Sequence, residues 1–226
     1  MLCSEERMRQ LVRQFVRLCA DTLPLGSPIY EFGSLQVPGQ EGFADLRPLF
    51  PGKAYVGADM QCGPGVDLAL DLHHVALPAE TAQTVLLLDT LEHVEFPWKA
   101  AEELHRILKP NGVLIVSSVM NFHIHCYPHD YWRFTPEAFK SLLRHFDFSV
   151  VDSAGDPIFP HTVVGVACKG AMPERAVGDL LAGLGKWKQY WRNPFGNSLK
   201  GTIQYHMPPW MLEGCRHVRA AMGAYR

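Results

Sequence analysis

Two apolar runs bracket a helical pattern in the middle of the chain and organise the reading of the rest. Thr84-Val85-Leu86-Leu87-Leu88 proceeds without alternation and stops at Asp89. Val113-Leu114-Ile115-Val116 does the same and ends at Ser117-Ser118. Between them residues 96–108 have helical spacing, broken by Lys109-Pro110-Asn111-Gly112. Strands that are apolar throughout are buried on both faces, as in a parallel sheet between two helix layers. The intervening helix is long enough for a right-handed crossover. Ligands of such sheets bind beyond the carboxyl ends of the strands. Residues 89–93 and 117–133 are therefore expected to face one crevice.

The flanking patterns extend this unit. Residues 4–23 predict a helix with an apolar stripe of Met8, Leu11, Val12, Phe15 and Val16, and with Arg9, Arg13 and Arg17 on another face. Ser4 suits its N-cap and Pro24 ends it. It reads both as a helix laid over the sheet and as a lid over a ligand. Short strands are expected at 29–34, 54–58 and 66–70, with a short helix around 43–49. After a polar-aromatic loop at 120–134, Thr135 as N-cap and Pro136 at the first helical position start a helix that runs to His145. Strands at 148–151 and 162–168 close the pattern around a Gly155–Pro160 connection, and helices are expected at 173–191 and 208–222. This divides the chain into an N-terminal capping helix (1–27), an α/β domain (28–170) and a basic, aromatic-rich helical extension (171–226).

Composition narrows the setting. No apolar run approaches the ~20 residues of a membrane span. The first ten residues are charged, which argues against a secretory signal. The six cysteines are scattered without a C-x-x-C pair, which favours reduced thiols and a cytoplasmic setting. The net charge of −2 conceals an asymmetry: residues 1–170 carry 13 Lys and Arg against 20 Asp and Glu, and residues 171–226 carry 8 against 3. A basic tail can meet nucleic acid, anionic lipid or an acidic substrate. Docking on the acidic body, its own or that of a second subunit in a homodimer, is the simpler reading. Residues 28–170 show no basic face interleaved with aromatics, so nucleic acid is not an expected substrate.

The candidate chemistry sits at the strand ends. Four strands in succession finish at an acid: Glu31, Asp59, Asp71 and Asp89. As parallel neighbours these would line one sheet edge, where a ligand with a cationic group and a ribose can be held. An acid after the second strand is placed to accept from ribose hydroxyls. Gly33 allows close approach to the backbone. His93 reads either as a base or substrate contact, or as a helix-start histidine bonded to backbone. In the loop that follows, His123, His125, Tyr127, His129, Tyr131 and Trp132 form candidate walls of an acceptor pocket. Arg133 would pair with an anionic acceptor group, or pin the loop through Glu92 or Asp130. His-x-His followed by His-Asp raises the question of a metal. None is assigned, because no second cluster supplies further ligands at clear spacing.

This arrangement resembles the class I S-adenosylmethionine-dependent methyltransferases over residues 28–170. The specific part is Asp89-Thr90-Leu91-Glu92-His93-Val94 followed by Leu104-His105-Arg106-Ile107-Leu108-Lys109-Pro110-Asn111-Gly112. The segment Asp130-Tyr131-Trp132-Arg133-Phe134-Thr135-Pro136 is also similar to members of the family. The resemblance implies a three-layer Rossmann-like α/β fold with a mostly parallel seven-stranded sheet, whose last strand is antiparallel and inserts beside the fifth. It implies S-adenosylmethionine as cofactor. Glu31, Phe32, Gly33 and Ser34 would lie beside its methionine part, Asp59 at the ribose, Met60 against the adenine, and Asp71 and Leu72 at the adenine edge. Asp89, Thr90 and Leu91 would form the floor beneath the sulfonium. The family's first motif carries three alternate glycines, and here only Gly33 is in place. The loop must therefore meet the ligand differently, and the G-x-G-x-x-G fingerprint of nicotinamide and flavin enzymes is missing. The expected activity is methyl transfer to a small-molecule or glycan-like acceptor, at oxygen because the histidines offer bases. The alternative is a non-catalytic methyltransferase-like scaffold.

Overall fold

The computed structural model describes residues 4–36, 44–125 and 128–192. Seven strands form one sheet: β1 (Ile29–Phe32), β2 (Tyr55–Asp59), β3 (Leu68–Ala69), β4 (Ala82–Leu88), β5 (Leu108–Val119), β6 (Phe148–Gly155) and β7 (Pro160–Lys169). Their spatial order is β3-β2-β1-β4-β5-β7-β6. The first five are parallel, and β7 lies antiparallel between β5 and β6, as the resemblance implied.

Two helix layers cover the sheet. On one face α1 (Ser4–Thr22) and α4 (Glu174–Tyr190) bury Leu11, Phe15, Leu180 and Trp187 against Ile29, Leu86, Ile115 and Val166. On the other, α2 (Pro97–Ile107) and α3 (Pro136–Leu142) bury Leu104, Ile107 and Phe139 against Phe32, Leu87, Leu114 and Val163. Alternate residues of a strand point to opposite faces. Leu86 and Leu87 therefore enter different cores, at 0% and 1% exposure. The apolar run of β4 is two half-patterns superposed. Thr135 caps α3 as expected, its side chain accepting from the Ala138 amide.

Four expectations need correction. α2 ends ahead of Lys109 to Gly112 as expected, but that segment belongs to β5 instead of preceding it. Pairing passes from Ala82↔Leu108 to Thr84↔Val113 across a register shift, with Asn111 at a φ of 59°. Asn tolerates that left-handed conformation, so the residues bulge instead of terminating. The strand expected at 66–70 shrinks to Leu68–Ala69, because Asp67 turns its carboxylate onto the Gly57 amide and Arg47. The helix expected around 43–49 is a 3-10 turn, Arg47–Leu49, begun by the Asp45 carboxylate accepting from the Arg47 amide; Phe43 lies outside the described residues. The closing strands reach further than expected, leaving 156–159 as a turn held by Asp156, which accepts from the amides of Ile158 and Phe159.

The helix expected at 208–222, most of the basic extension and any homodimer contact through it lie outside the described residues. Among the described residues no helix is long and apolar enough to cross a membrane. The α1–α4 layer joins distant parts of the chain through Trp187, whose indole N–H donates to the Leu11 carbonyl at 3.1 Å and whose ring lies 5.7 Å from that of Phe15. Truncation of Trp187 to Ala is expected to cost about 3–5 kcal/mol of unfolding free energy. The urea midpoint should fall at unchanged slope, and Trp187→Phe should lose less because it gives up the hydrogen bond and part of the indole but keeps an aromatic ring in the core.

Candidate functional site

The carboxyl ends of β1, β2 and β4 and the segment after β3 open into one cavity of about 680 Å³. Glu31, Asp59, Asp71 and Asp89 all line it, so the sheet gathers the four acids at one rim. Val12 and Arg13 of α1 line it too, and the Arg13 guanidinium donates to the Asp45 carbonyl. The first helix thus closes one side of the cavity as well as packing on the sheet.

The turn after β1 depends on glycines at two places. Gly33 has a φ of 81°, and a Cβ there would overlap the Thr90 hydroxyl. The other lies across the gap: Gly65 has a φ of 86°, and a Cβ there would collide with the Ser34 carbonyl. The close approach that further glycines in the β1 turn would permit is supplied by the facing β2–β3 loop. Gln36 donates its amide to the Pro64 carbonyl, and the Ser34 hydroxyl bonds the Ala58 carbonyl, completing the join.

Each rim acid has its own environment. The Asp59 carboxylate accepts from the amides of Gln61 (2.9 Å) and Leu35 (3.4 Å), which fixes its orientation. A carboxylate has about four acceptor positions, so capacity for ligand hydroxyls is left. Asp71 accepts from both the amide and Nδ1 of His73 at 2.8 Å. Burial opposes its charge, but these bonds hold its carboxyl below the usual range. Asp89 sits at a φ of 45° and accepts from the Ser117 hydroxyl at 2.7 Å. Glu31 is buried and accepts from the Tyr55 hydroxyl at 2.7 Å; burial pushes its carboxyl up to about 7, against the pull of Tyr55 and Arg47.

The inner wall is built from the 3-10 turn Leu91–His93 and the loop after β5. The amides of Tyr131 and Trp132 donate to the Glu92 carbonyl at 2.7 and 3.2 Å, docking the loop on the turn. Glu92 is 1% exposed and accepts from the Ser118 hydroxyl at 2.6 Å. Burial, reinforced by the Asp89 charge, pushes its carboxyl up to about 8. His93 lines the cavity, and its Nδ1 lies 2.5 Å from the His129 carbonyl. A carbonyl only accepts, so Nδ1 carries the proton. Burial lowers the His93 pKa and keeps the ring neutral.

Residues 55–116, from β2 into β5, match the family described as a methyltransferase domain. No curated protein matches the sequence. Among solved structures, a putative methyltransferase of Haloferax volcanii, in complex with the Trm112 methyltransferase activator, is 16% identical with a TM-score of 0.54, covering 73% of this chain and 92% of that one. A SAM-dependent methyltransferase of Archaeoglobus fulgidus is 14% identical at a TM-score of 0.56, covering 71% and 94%. The 1,6-didemethyltoxoflavin-N1-methyltransferase of Burkholderia thailandensis is 17% identical at 0.54, covering 71% and 78%. The sheet as a whole therefore has the fold of these methyltransferases, and residues 55–116 carry the family match.

Within this fold the expected cofactor residues Glu31, Phe32, Gly33, Ser34, Asp59, Met60, Asp71, Leu72, Asp89 and Thr90 all line the cavity. Leu91 does not; at 4% exposure it packs in the α2–α3 core, because the turn that aims His93 at the cavity rotates Leu91 inward. His123, His125, His129 and Tyr131 line the acceptor side. Trp132 stands outside the lining, with its ring 6.3 Å from Trp98 and its N–H on the Glu95 carbonyl. Arg133 is also outside it. Its guanidinium grips Asp130 at 2.5 and 2.8 Å and donates to the carbonyls of Phe122 and His123, which pins the loop. Tyr127 lies outside the described residues.

Sequence reading missed Glu92 as a wall residue, and it missed His161. His161 is 2% exposed at the start of β7, lines the cavity, and is held neutral by burial that lowers its pKa to about 4. Only the antiparallel insertion of β7 brings it there.

Glu31 generates a prediction. Its carboxyl titrates at about 7 in the folded protein and near 4.5 when unfolded. Between those values the native state holds the extra proton, so its contribution to stability falls as pH rises. Gln at this position still accepts from Tyr55 but does not titrate. Urea unfolding across that window should show Glu31→Gln gaining on wild type as pH rises and exceeding it on the alkaline side. Parallel curves would contradict the assignment.

Proposed function

We propose that this protein transfers the methyl group of S-adenosylmethionine to a hydroxyl of a small-molecule or glycan-like acceptor. The observation that carries the reading is the shared cavity: the strand-end acids form one side and the imidazole loop the other. The donor set fits this cofactor. Oriented Asp59 suits ribose hydroxyls, exposed Met60 and half-buried His73 offer flat or polarizable surface to the base, and the rim carboxylates suit a ligand with amino and sulfonium charge. The Burkholderia neighbour was solved with S-adenosylhomocysteine. When bound, the cofactor supplies an electrophilic methyl on a good leaving group.

The chain's own residues then have to align the acceptor and remove its proton. Alignment supplies much of the rate. Oxygen is favoured by His93: a neutral imidazole with Nδ1 fixed on a carbonyl keeps its lone pair on Nε2, ready to act on a hydroxyl. Neighbouring folds include carbon and nitrogen methyltransferases, so the accepting atom is read from this site alone. The glycan-like acceptor is supported by the exposed rings beside the loop. Trp98, Tyr131 and Trp132 are 48%, 43% and 38% exposed, with Phe96 5.7 Å from Trp98. Their electron-rich faces suit the C–H faces of a sugar ring.

Calorimetry should register binding of S-adenosylmethionine and of S-adenosylhomocysteine. Asp59→Ala should weaken both by roughly 10- to 100-fold, the loss of a charge-assisted hydrogen bond. No binding by either at millimolar concentration would overturn the reading in favour of a scaffold. Transfer of labelled methyl to a panel of hydroxylated sugars and phenols tests the acceptor. His93→Ala should lower kcat on the order of 100-fold with little effect on cofactor binding. Because neutral His93 is required, the wild-type rate should rise with pH through a pKa below 6.5 and then level off.

A further inference from the structure

The inner wall holds a cluster that methyl transfer as such does not require. Glu92, His93 and His125 come from two segments, the turn after β4 and the loop after β5, and each offers a ligand atom within 4.8 Å of the others. The rings of His93 and His125 stand edge to face, 4.7 Å apart. Donors at ~2.0–2.2 Å from a common ion lie ~3–4 Å from one another, so a small inward rotation closes the set.

The surroundings orient these three groups as ligands. Metal-bound histidines characteristically donate their other ring N–H to a carbonyl or carboxylate. His93 Nδ1 lies on the His129 carbonyl. His125 Nδ1 lies 3.2 Å from both the His123 carbonyl and the Asp130 carboxylate. Both partners accept from Nδ1–H, which makes Nε2 the ligand atom of each ring. Asp130 is itself fixed by Arg133 and by the His125 amide. The third ligand, Glu92, is oriented by the Ser118 hydroxyl. Glu92 is 1% exposed and the nearby Arg133 guanidinium is already engaged with Asp130, so a bound cation would be the charge partner of its ionised form.

We propose that Glu92, His93 and His125 bind a divalent first-row transition-metal ion at the inner wall of the cavity. Two imidazoles and one carboxylate suit zinc, iron, cobalt or manganese and leave coordination positions open toward the cavity. An acceptor hydroxyl at such a position would be acidified by the ion and give its proton to solvent, so with the metal bound the ion would take the place of His93 as the group that acts on the hydroxyl. That role rests on the proposed methyl transfer; the site itself does not.

The test uses the full-length protein after chelation and dialysis, titrated with Co²⁺ for its visible d–d absorption and with Zn²⁺ and Mn²⁺ by calorimetry. One equivalent is expected to bind. Ser118→Ala should weaken affinity about tenfold, as for a residue that orients a ligand. Glu92→Gln and His125→Ala should each weaken it more than that. His145→Ala removes an exposed imidazole away from the cavity and should leave affinity unchanged. Glu92 is buried and His125 sits in a loop, so misfolding of one variant, checked by circular dichroism, leaves the other decisive. Absence of stoichiometric binding, or binding by Glu92→Gln and His125→Ala as tight as by the wild type, overturns the proposal. S-adenosylhomocysteine calorimetry on the same chelated protein separates the two readings. Nucleoside binding without cation binding defeats the metal alone, and cation binding without nucleoside binding supports the metal and defeats the donor reading.

Discussion

The burial of β4 and β5 on both faces is the constraint on which the rest of the molecule depends. With helices above and below, their backbone groups can be satisfied only by neighbouring strands, and their side chains can be only apolar or self-satisfied. Thr84, at 0% exposure, meets this demand by donating its hydroxyl to the Gly26 carbonyl. Polar chemistry is therefore displaced to the strand ends. Asp89, Glu92, Ser117 and Ser118 all sit where this pair runs out, already bonded to one another across β4 and β5. The cavity is the place where a two-sided core stops being possible.

The arrangement carries local costs. Asp89 occupies a left-handed conformation. Glu31 and Glu92 are carboxyls in surroundings that raise their pKa values to about 7 and about 8. Desolvated acids at a rim that also holds Asp59 and Asp71 do not help the fold. They are what an evolved site for a cationic ligand contains, because such a ligand relieves at once the repulsion and the missing solvation. The α1–α4 and α2–α3 cores offset these costs, with large apolar side chains such as Phe15, Leu104 and Phe139 at 1% exposure or less.

The loop after β5 shows how the structure chooses between two roles that a motif leaves open. Arg133 had two readings in the sequence, a contact to an anionic acceptor group and a pin for the loop through Glu92 or Asp130, and the structure takes the second. Asp130, three residues earlier, takes the guanidinium in a two-pronged pair, and the remaining donors satisfy loop carbonyls. A loop that leaves a parallel strand without entering a helix has many carbonyls to satisfy. Arg133 does that work, and the histidines it holds in place line the cavity. The β1 turn teaches the complementary lesson. Glycines absent from one strand's turn can be replaced by Gly65 on the facing loop, because close approach needs only one of the two surfaces to be bare.

What the sequence by itself determined is what depends on local periodicity: the two-faced strands, the crossover helix, the capped start of α3 and the succession of acids at strand ends. Those signals lie within a few residues of the groups they describe. It also carried Glu92 and His93 as a recognisable pair. Only the tertiary structure decided which side of the turn Leu91 takes, that β5 bulges through Asn111, and that His125 reaches Glu92 and His93. It alone placed His161 beside Phe122, with ring centroids 5.6 Å apart, from a strand that is mostly apolar. These are meetings of residues tens of positions apart. They are set by the antiparallel insertion of β7 and the docking of one loop on one carbonyl, neither of which leaves a period in the chain.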